Sequence, residues 1–530
     1  MATQRIKIFD TTLRDGQQCP GAGMSFEKNI EYAQLVAKAG IDVLEAGFPA
    51  ASQTDFMIVN MIAQEIAADT NSPIIAALCQ LREPQIDITL KALQPAIPYQ
   101  KARLHTYLPV DPELMRASLG EYADKRQNIL ADVYQFIKKA TDAGVEVEFS
   151  PEGYSRMGKN FDFVTDIIRA AISAGATIIN CPDTIGGACK WEGTDYFIEK
   201  MQQHAHIMQC EFPDKNITWS VHCHNDFGLA LENTMNGIFL GPTTQIEGCF
   251  NGIGERAGNV SLEQCIMYLK YFGALGNGKK IFFTRVNSEA IQAISDFVSR
   301  YMLPRQPHWP ITGENAAKHS SGGHINAIIK NPLAYQPFDP KEIGNEISFL
   351  FGPLSGSNHA KTIIERFGYR CAEEEKTTIA QFIKNHYADR RKGITDQELL
   401  QAYLHYRKPI KAESFSYTKE NTLSTLKING QFFTQEMMME VSYQSGDSAL
   451  AALHHAINQH MQDIVLENFH SQSVSKGINS VSQSKITIRN AASQIFTGIG
   501  EDQDIEISAL RALIDAVNQA YIHQNFKQEA

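Results

Sequence analysis

The stretch "DVLEAGF" (42–48), followed by "SQTDFMIVNMIAQEIA" (52–67), places a short β-like run directly before an amphipathic helical pattern. The pairing recurs along the first half of the chain. "RIKIFD" (5–10) precedes "SFEKNIEYAQLVAKAG" (25–40), "PIIAALC" (73–79) precedes "PQIDITLKALQ" (84–94), and "KARLHTYLP" (101–109) precedes "YADKRQNILADVYQFIKKATDAG" (122–144). "VEVEFSPE" (145–152), "TIINCPDT" (177–184), "ITWSVHCHND" (217–226) and "QIEGCFNG" (245–252) continue it, each again with a helical pattern behind. Alternation of this kind forces a parallel sheet, and eight units of about 33 residues fit a closed (β/α)8 TIM barrel better than an open doubly wound sheet. No G-x-G-x-x-G follows the first strand, which points the same way.

In such a barrel the chemistry belongs at the carboxyl ends of the strands. Those ends carry Asp10 with Arg14 and Asp15, Glu45, His105, Ser150 with Glu152, Asp183 with Thr184, His222 with His224, and Asn251 with Glu255 and Asn259. Any one of these could be a solvated loop residue; convergence on one barrel mouth is harder to ascribe to solvation. On a strand, His222 and His224 share a face while Cys223 takes the other. Two neutral imidazoles side by side are a ready pair of metal ligands, and equally a pair of half-buried histidines satisfied by backbone carbonyls.

Composition bounds the function. The 530-residue chain is long enough for two to four domains, and its hydrophobic fraction of 43% supplies large cores. A net charge of -11 without a basic block argues against nucleic acid or an anionic membrane as the main partner. With no signal-like apolar core and no run of about 18 apolar residues, the expectation is a cytoplasmic enzyme. The nine cysteines include no C-x-x-C pair, so they read as reduced core filler.

After about residue 275 the pattern changes. Residues 276–409 are expected to be mainly helical, opening on the loop-rich "YMLPRQPHWPITGENAAKHSSGGHINA" (301–327), which reads as a functional connector. Thr395 and Glu398 form a capping-box signature for a helix that ends before Pro409. From 410 to 530 two rounds of strands, each followed by a helix, predict a separate α+β domain. It contains no dense cluster of catalytic residue types, so regulation or assembly is its expected work.

Several motifs resemble those of the Claisen-condensing acyltransferases that join acetyl-CoA to a 2-oxo acid, the isopropylmalate, homocitrate and citramalate synthases. They are "FDTTLRDGQQ" (9–18), "EAGFPAAS" (45–52), "LHTYLP" (104–109), "FSPEG" (149–153), "HCHNDFGLA" (222–230) and "NGIGERAGN" (251–259), with "HSSGGHINA" (319–327) beyond the barrel. The resemblance implies a barrel that binds a divalent metal, Mn2+, Mg2+ or Zn2+, through Asp15, His222, His224 and Asn259, with a monovalent cation such as K+ as a further cofactor. It implies Arg14 as a stabiliser of oxyanion charge, His324 as the base that enolises acetyl-CoA, and Glu152 as the partner that raises its basicity. His105, Ser150 and Thr184 resemble contacts to the 2-oxo acid, and Glu45 resembles a residue that orients Arg14 or a metal ligand.

The connector of the family reaches over a second subunit, so a homodimer with shared active sites is implied. "GDSALAALHHAIN" (446–458) and "FTGIGEDQDIEISALRALIDAVN" (496–518) resemble a leucine-sensing allosteric domain, making leucine the expected feedback inhibitor. That domain favours isopropylmalate or citramalate synthesis over homocitrate synthesis. The implied acceptor is 3-methyl-2-oxobutanoate, with pyruvate as the alternative. Two departures stand out: Gln17 replaces an acidic residue of the family, and the family's tyrosine downstream of the histidine base has no clear counterpart in "DPKEIGNEISFLFGPLSGSNHAK" (339–361).

Overall fold

A computed structural model of the chain describes residues 2–274, 280–390, 392–420, 423–436, 438–444, 447–475, 477 and 480–528. Eight parallel strands, Lys7–Asp10, Val43–Glu45, Ile74–Gln80, Ala102–Pro109, Glu146–Glu152, Ile178–Asp183, Thr218–Cys223 and Thr243–Gly248, pair in sequence order. The barrel closes where the first strand pairs with the eighth, from Lys7 opposite Gln245 to Asp10 opposite Gly248. Both faces of these strands are covered, which is why "IIAALCQ" is apolar almost throughout rather than alternating.

The helices form for local reasons that the sequence carries. Gln53–Ile66 is opened by Ser52, whose hydroxyl accepts the Asp55 N–H at 3.1 Å. Phe26–Ala39 is opened by Ser25 and closed by Gly40, which adopts φ 83°, a left-handed conformation that costs other residues more. Phe161–Ser173 buries Phe163, Val164, Ile167, Ile168, Ala171 and Ile172, one stripe at helical spacing laid on the sheet. Each large aliphatic buried this way contributes about 1.5–3 kcal/mol.

Inside the barrel, period-two alternation stacks side chains in layers. A lower layer is polar: the fully buried Arg103 pairs through Nη1 with Glu148 and with the Gln245 amide oxygen, each at 2.8 Å, while Gln245 donates to the other Glu148 oxygen at 2.9 Å. Two residues further along the same strands, His105, Ser150 and Glu247 form the layer beneath the mouth. Position along a strand therefore decides whether a polar residue braces the barrel or faces its mouth.

The compact unit that contains the barrel comprises Met1–Ala317 and Phe338–Ile347; the second comprises Lys318–Pro337 and Ser348–Ala530. The expected boundary at 275–276 lies outside the described residues. In the second unit, helices Ser357–Arg366, Lys376–His386 and Asp396–Arg407 share a small core of Ile363, Ile379, Ile383, Leu399 and Tyr403. The capping box is present: Thr395 Oγ1 accepts the Glu398 N–H at 3.3 Å and Glu398 Oε2 accepts the Thr395 N–H at 2.9 Å.

The carboxyl-terminal module holds two antiparallel three-stranded sheets and the helices Ala449–Asn458 and Ile505–Phe526. It is fuller than its sequence indicates. The segment "QFFTQEMMMEVSY" spans a reversal: strand Leu423–Phe432 ends before Phe433 (φ 50°) and strand Met438–Gln444 returns alongside it. Val465–Ser473, a stretch with no clear pattern, is a strand whose side chains are mostly exposed, so no apolar alternation marks it. Among the described residues no helix is long and apolar enough to cross a membrane.

Candidate active site

The carboxyl ends of the barrel strands surround a cavity of about 250 Å3. Arg14, Asp15, His105, Ser150, Glu152, Thr184, His222 and His224 all line it, so eight of the eleven residues to which the family resemblance gives a role meet there. Glu45 and Asn259 stand behind this lining, each bonded to a residue in it. His324 belongs to the second unit, where it is exposed on helix Gly322–Lys330 and stacked on Tyr335 with ring centroids 3.9 Å apart.

Arg14 is gripped by three carboxylates. Its Nε donates to Glu45 at 2.6 Å, Nη1 to Asp15 at 2.8 Å and Nη2 to Glu247 at 2.9 Å. A guanidinium has five N–H donors, and these bonds use three of them. Glu45 also meets His105 Nδ1 at 2.7 Å and accepts the Thr11 hydroxyl at 2.6 Å. Burial acts to lower the His105 pKa, but the facing Glu45 outweighs it and the imidazole is held above its ordinary value. The other ring nitrogen lies 2.8 Å from Ser150 Oγ. Thr184 Oγ1 accepts the Gly153 N–H at 2.9 Å, which leaves its own proton free to be donated. Burial raises the pKa of the Glu152 carboxyl.

Asp15, His222 and His224 each offer a ligand atom, all within 4.8 Å of one another. The Asn259 amide oxygen lies 2.7 Å from His222 Nε2, and its nitrogen donates to Asp15 at 2.6 Å. His224 Nδ1 is buried and has no hydrogen-bond partner among the described residues. Burial pushes His224 down to about 4, with His222 adding to the shift. Burial also opposes charge on His222, yet Glu247 carries its pKa up to about 9. Gly254 lets this cluster close: a Cβ there would sit 2.2 Å from Asn259 Nδ2 and 2.6 Å from Asp15 Oδ1. A carboxylate, an amide oxygen and two imidazoles, one of them with an orphaned buried nitrogen, fit a divalent cation of the Mg2+, Mn2+ or Zn2+ type.

Three family models match consecutive parts of the chain: HMGL-like over residues 5–298, homocitrate synthase post-HMGL domain-like over 311–392, and the LeuA allosteric (dimerisation) domain over 394–521. Curated relatives named 2-isopropylmalate synthase align along nearly the whole length. That of Prochlorococcus marinus subsp. pastoris is 32% identical over 97% of this chain and 93% of its own. That of Aquifex aeolicus is 32% identical over 99% and 97%, and that of Acetivibrio thermocellus 31% identical over 98% and 98%. The chain belongs to the 2-isopropylmalate synthase family. It is an acyltransferase on an HMGL-like barrel, carrying the LeuA-type domain of that family at its carboxyl end.

Three further residues shape the barrel mouth. Glu247 and the cavity-lining Asn180 are buried in the layer beneath the mouth, where Asn180 Nδ2 donates to Glu247 at 2.7 Å and to Ser150 Oγ at 3.0 Å. The signal for Glu247 was available: "QIEG" places Gln245 and Glu247 on one face of a strand, and a carboxylate there points inward. The third is Arg256, at φ 56°, whose guanidinium bonds both Asp226 oxygens at 2.9 Å and the Thr184 carbonyl at 2.7 Å. It ties together the loops after the sixth, seventh and eighth strands; "GER" carries no local sign of that role.

Proposed function

We propose that the enzyme condenses acetyl-CoA with 3-methyl-2-oxobutanoate and water to give 2-isopropylmalate and CoA, the first committed step of leucine synthesis, in the cytoplasm. The observation that carries this reading is the adjacency of the Asp15, His222 and His224 cluster to the Arg14 guanidinium, in a cavity edged by Ser150 and Thr184. A divalent ion held by Asp15, His222, His224 and Asn259 would supply Lewis-acid polarisation of the acceptor keto group. Arg14 offers its guanidinium to the oxygen on which negative charge develops. His105, Ser150 and Thr184 hold the 2-oxo acid, and Glu45 fixes both Arg14 and His105.

The proton leaves the acetyl methyl group to His324, supported by Glu152, and the resulting carbon nucleophile forms the new C–C bond at the keto carbon. The oxygen of that carbon gains a proton, and water then cleaves the thioester to release CoA. Residues 1–275 form the catalytic barrel in this reading, 276–409 bring the base, and 410–530 sense leucine in a homodimer with shared sites. His324→Ala is expected to bind the 2-oxo acid normally while losing solvent exchange of the acetyl protons and about 10²–10⁴-fold in kcat, the ordinary contribution of a general base. Exchange at the wild-type rate in that variant would place the base elsewhere.

Thiol release from acetyl-CoA across a panel of 2-oxo acids tests the acceptor. The expected order puts 3-methyl-2-oxobutanoate first. Pyruvate first would turn the reading to citramalate synthesis, because one methylene in an apolar pocket discriminates by only about 1–3 kcal/mol. Titrating millimolar leucine in the same assay is expected to inhibit, through a coupling of about 1–3 kcal/mol between domain and site. Inhibition by isoleucine alone would also favour citramalate synthesis.

A further inference from the structure

Glu247 is not among the residues that line the cavity, yet it bonds three that do, Arg14, His222 and Asn180. It lies on the eighth strand, fully buried, where a carboxylate is stable only if donors satisfy it. Oε1 accepts from Arg14 Nη2 at 2.9 Å and from His222 Nδ1 at 2.8 Å; Oε2 accepts from Asn180 Nδ2 at 2.7 Å. We propose that Glu247 is a positioning residue, which sets the tautomer and ring direction of His222 for metal binding and holds Arg14 against the same site. The proposal rests on the reading of Asp15, His222 and His224 as metal ligands.

Two geometric features support it. A histidine that donates from Nδ1 to a carboxylate presents the lone pair of Nε2 outward, and here Nε2 is the nitrogen that faces Asn259 and Asp15. Glu247 also closes a circuit. From it the hydrogen bonds run through Arg14 to Glu45, on to His105 and Ser150, and back through Asn180. Each member fixes the next. Asn180 cannot flip without presenting its oxygen to the Glu247 carboxylate, and Arg14 cannot swing without releasing one or more carboxylates.

The test is a titration of Mn2+ into chelator-treated protein, read as free Mn2+ by electron paramagnetic resonance. Glu247→Gln puts an N–H2 where three donors converge, so at least one of them must turn away. The Kd for Mn2+ is expected to rise about 10- to 100-fold, as for other supports of a ligating histidine. The double variant Glu247→Gln with Asn180→Asp restores a donor opposite an acceptor, and should recover most of that loss. Loss of space or charge alone would not be repaired by moving the charge across the barrel. If Glu247→Gln fails to fold, Glu247→Asp carries the test: it keeps the charge but is one methylene too short for all three donors, and the same direction is expected. An unchanged Kd in the folded variant overturns the proposal. Failure of the wild-type protein to bind Mn2+ would instead overturn the ligand assignment beneath it.

Discussion

Asp15→Ala and His222→Ala are each expected to abolish turnover and stoichiometric metal binding while leaving the barrel folded. Both residues sit at the carboxyl end of a strand or just beyond it, and neither belongs to the apolar core. Their removal therefore takes little from the packing that holds the barrel. It takes away a ligand from a set of four, and with it Lewis-acid help worth several kcal/mol, a thousandfold or more in rate by rough reckoning. Metal content after gel filtration, with circular dichroism as the fold control, checks both halves. Cys223→Ser should stay active, because Cys223 alternates to the opposite face of the same strand and packs in the core. Full metal occupancy in either alanine variant would sink the ligand assignment.

Arg14→Ala should lose both rate and stability. The rate effect expected for removing a preorganised donor to developing oxyanion charge is about 10²–10³ in kcat. The stability effect follows from the three carboxylates that Arg14 bridges, which are buried at 0–5% side-chain exposure. His105 still faces Glu45, and His222 and Asn180 still face Glu247, so the carboxylates are not left bare. Breaking a buried ion pair on one side nevertheless costs about 3–5 kcal/mol. Arg14→Lys separates the two effects: it keeps a positive charge, but one ammonium cannot reach three carboxylates along the directions of Nε, Nη1 and Nη2. It should recover part of the stability and little of the rate. Thermal unfolding alongside kcat measurement decides, and wild-type kcat in Arg14→Lys would remove Arg14 from the chemistry.

Much of this was open to a reader of the sequence. A strand covered on both faces must be apolar along its length, and a helix packed on a sheet must carry its apolar residues at i, i+3, i+4 and i+7; eight repeats of that pair admit few architectures. Residues at the strand ends inherit a common location from the architecture alone, which is why Arg14, His105, Ser150, Thr184 and His222 could be named before any coordinate was known. Where the pattern weakens, so does the reading. Val465–Ser473 carries most of its side chains into solvent, so no apolar alternation separates it from a loop.

What the sequence determined by itself is local and periodic: which segments are strands and helices of the barrel, which face of each is buried, and which polar residues fall at one rim. Tertiary structure alone decided who touches whom. Arg14 and Glu247 are 233 residues apart, and they meet because barrel closure sets the eighth strand beside the first. The partners of Glu247 come from the first, sixth and seventh units, so its role depends on the stagger between strands, a quantity fixed by how all eight pack together and written in none of them singly. A buried carboxylate in "QIEG" can be read as inward-facing from period two; that it orients a histidine and an arginine at once is a property of the closed barrel.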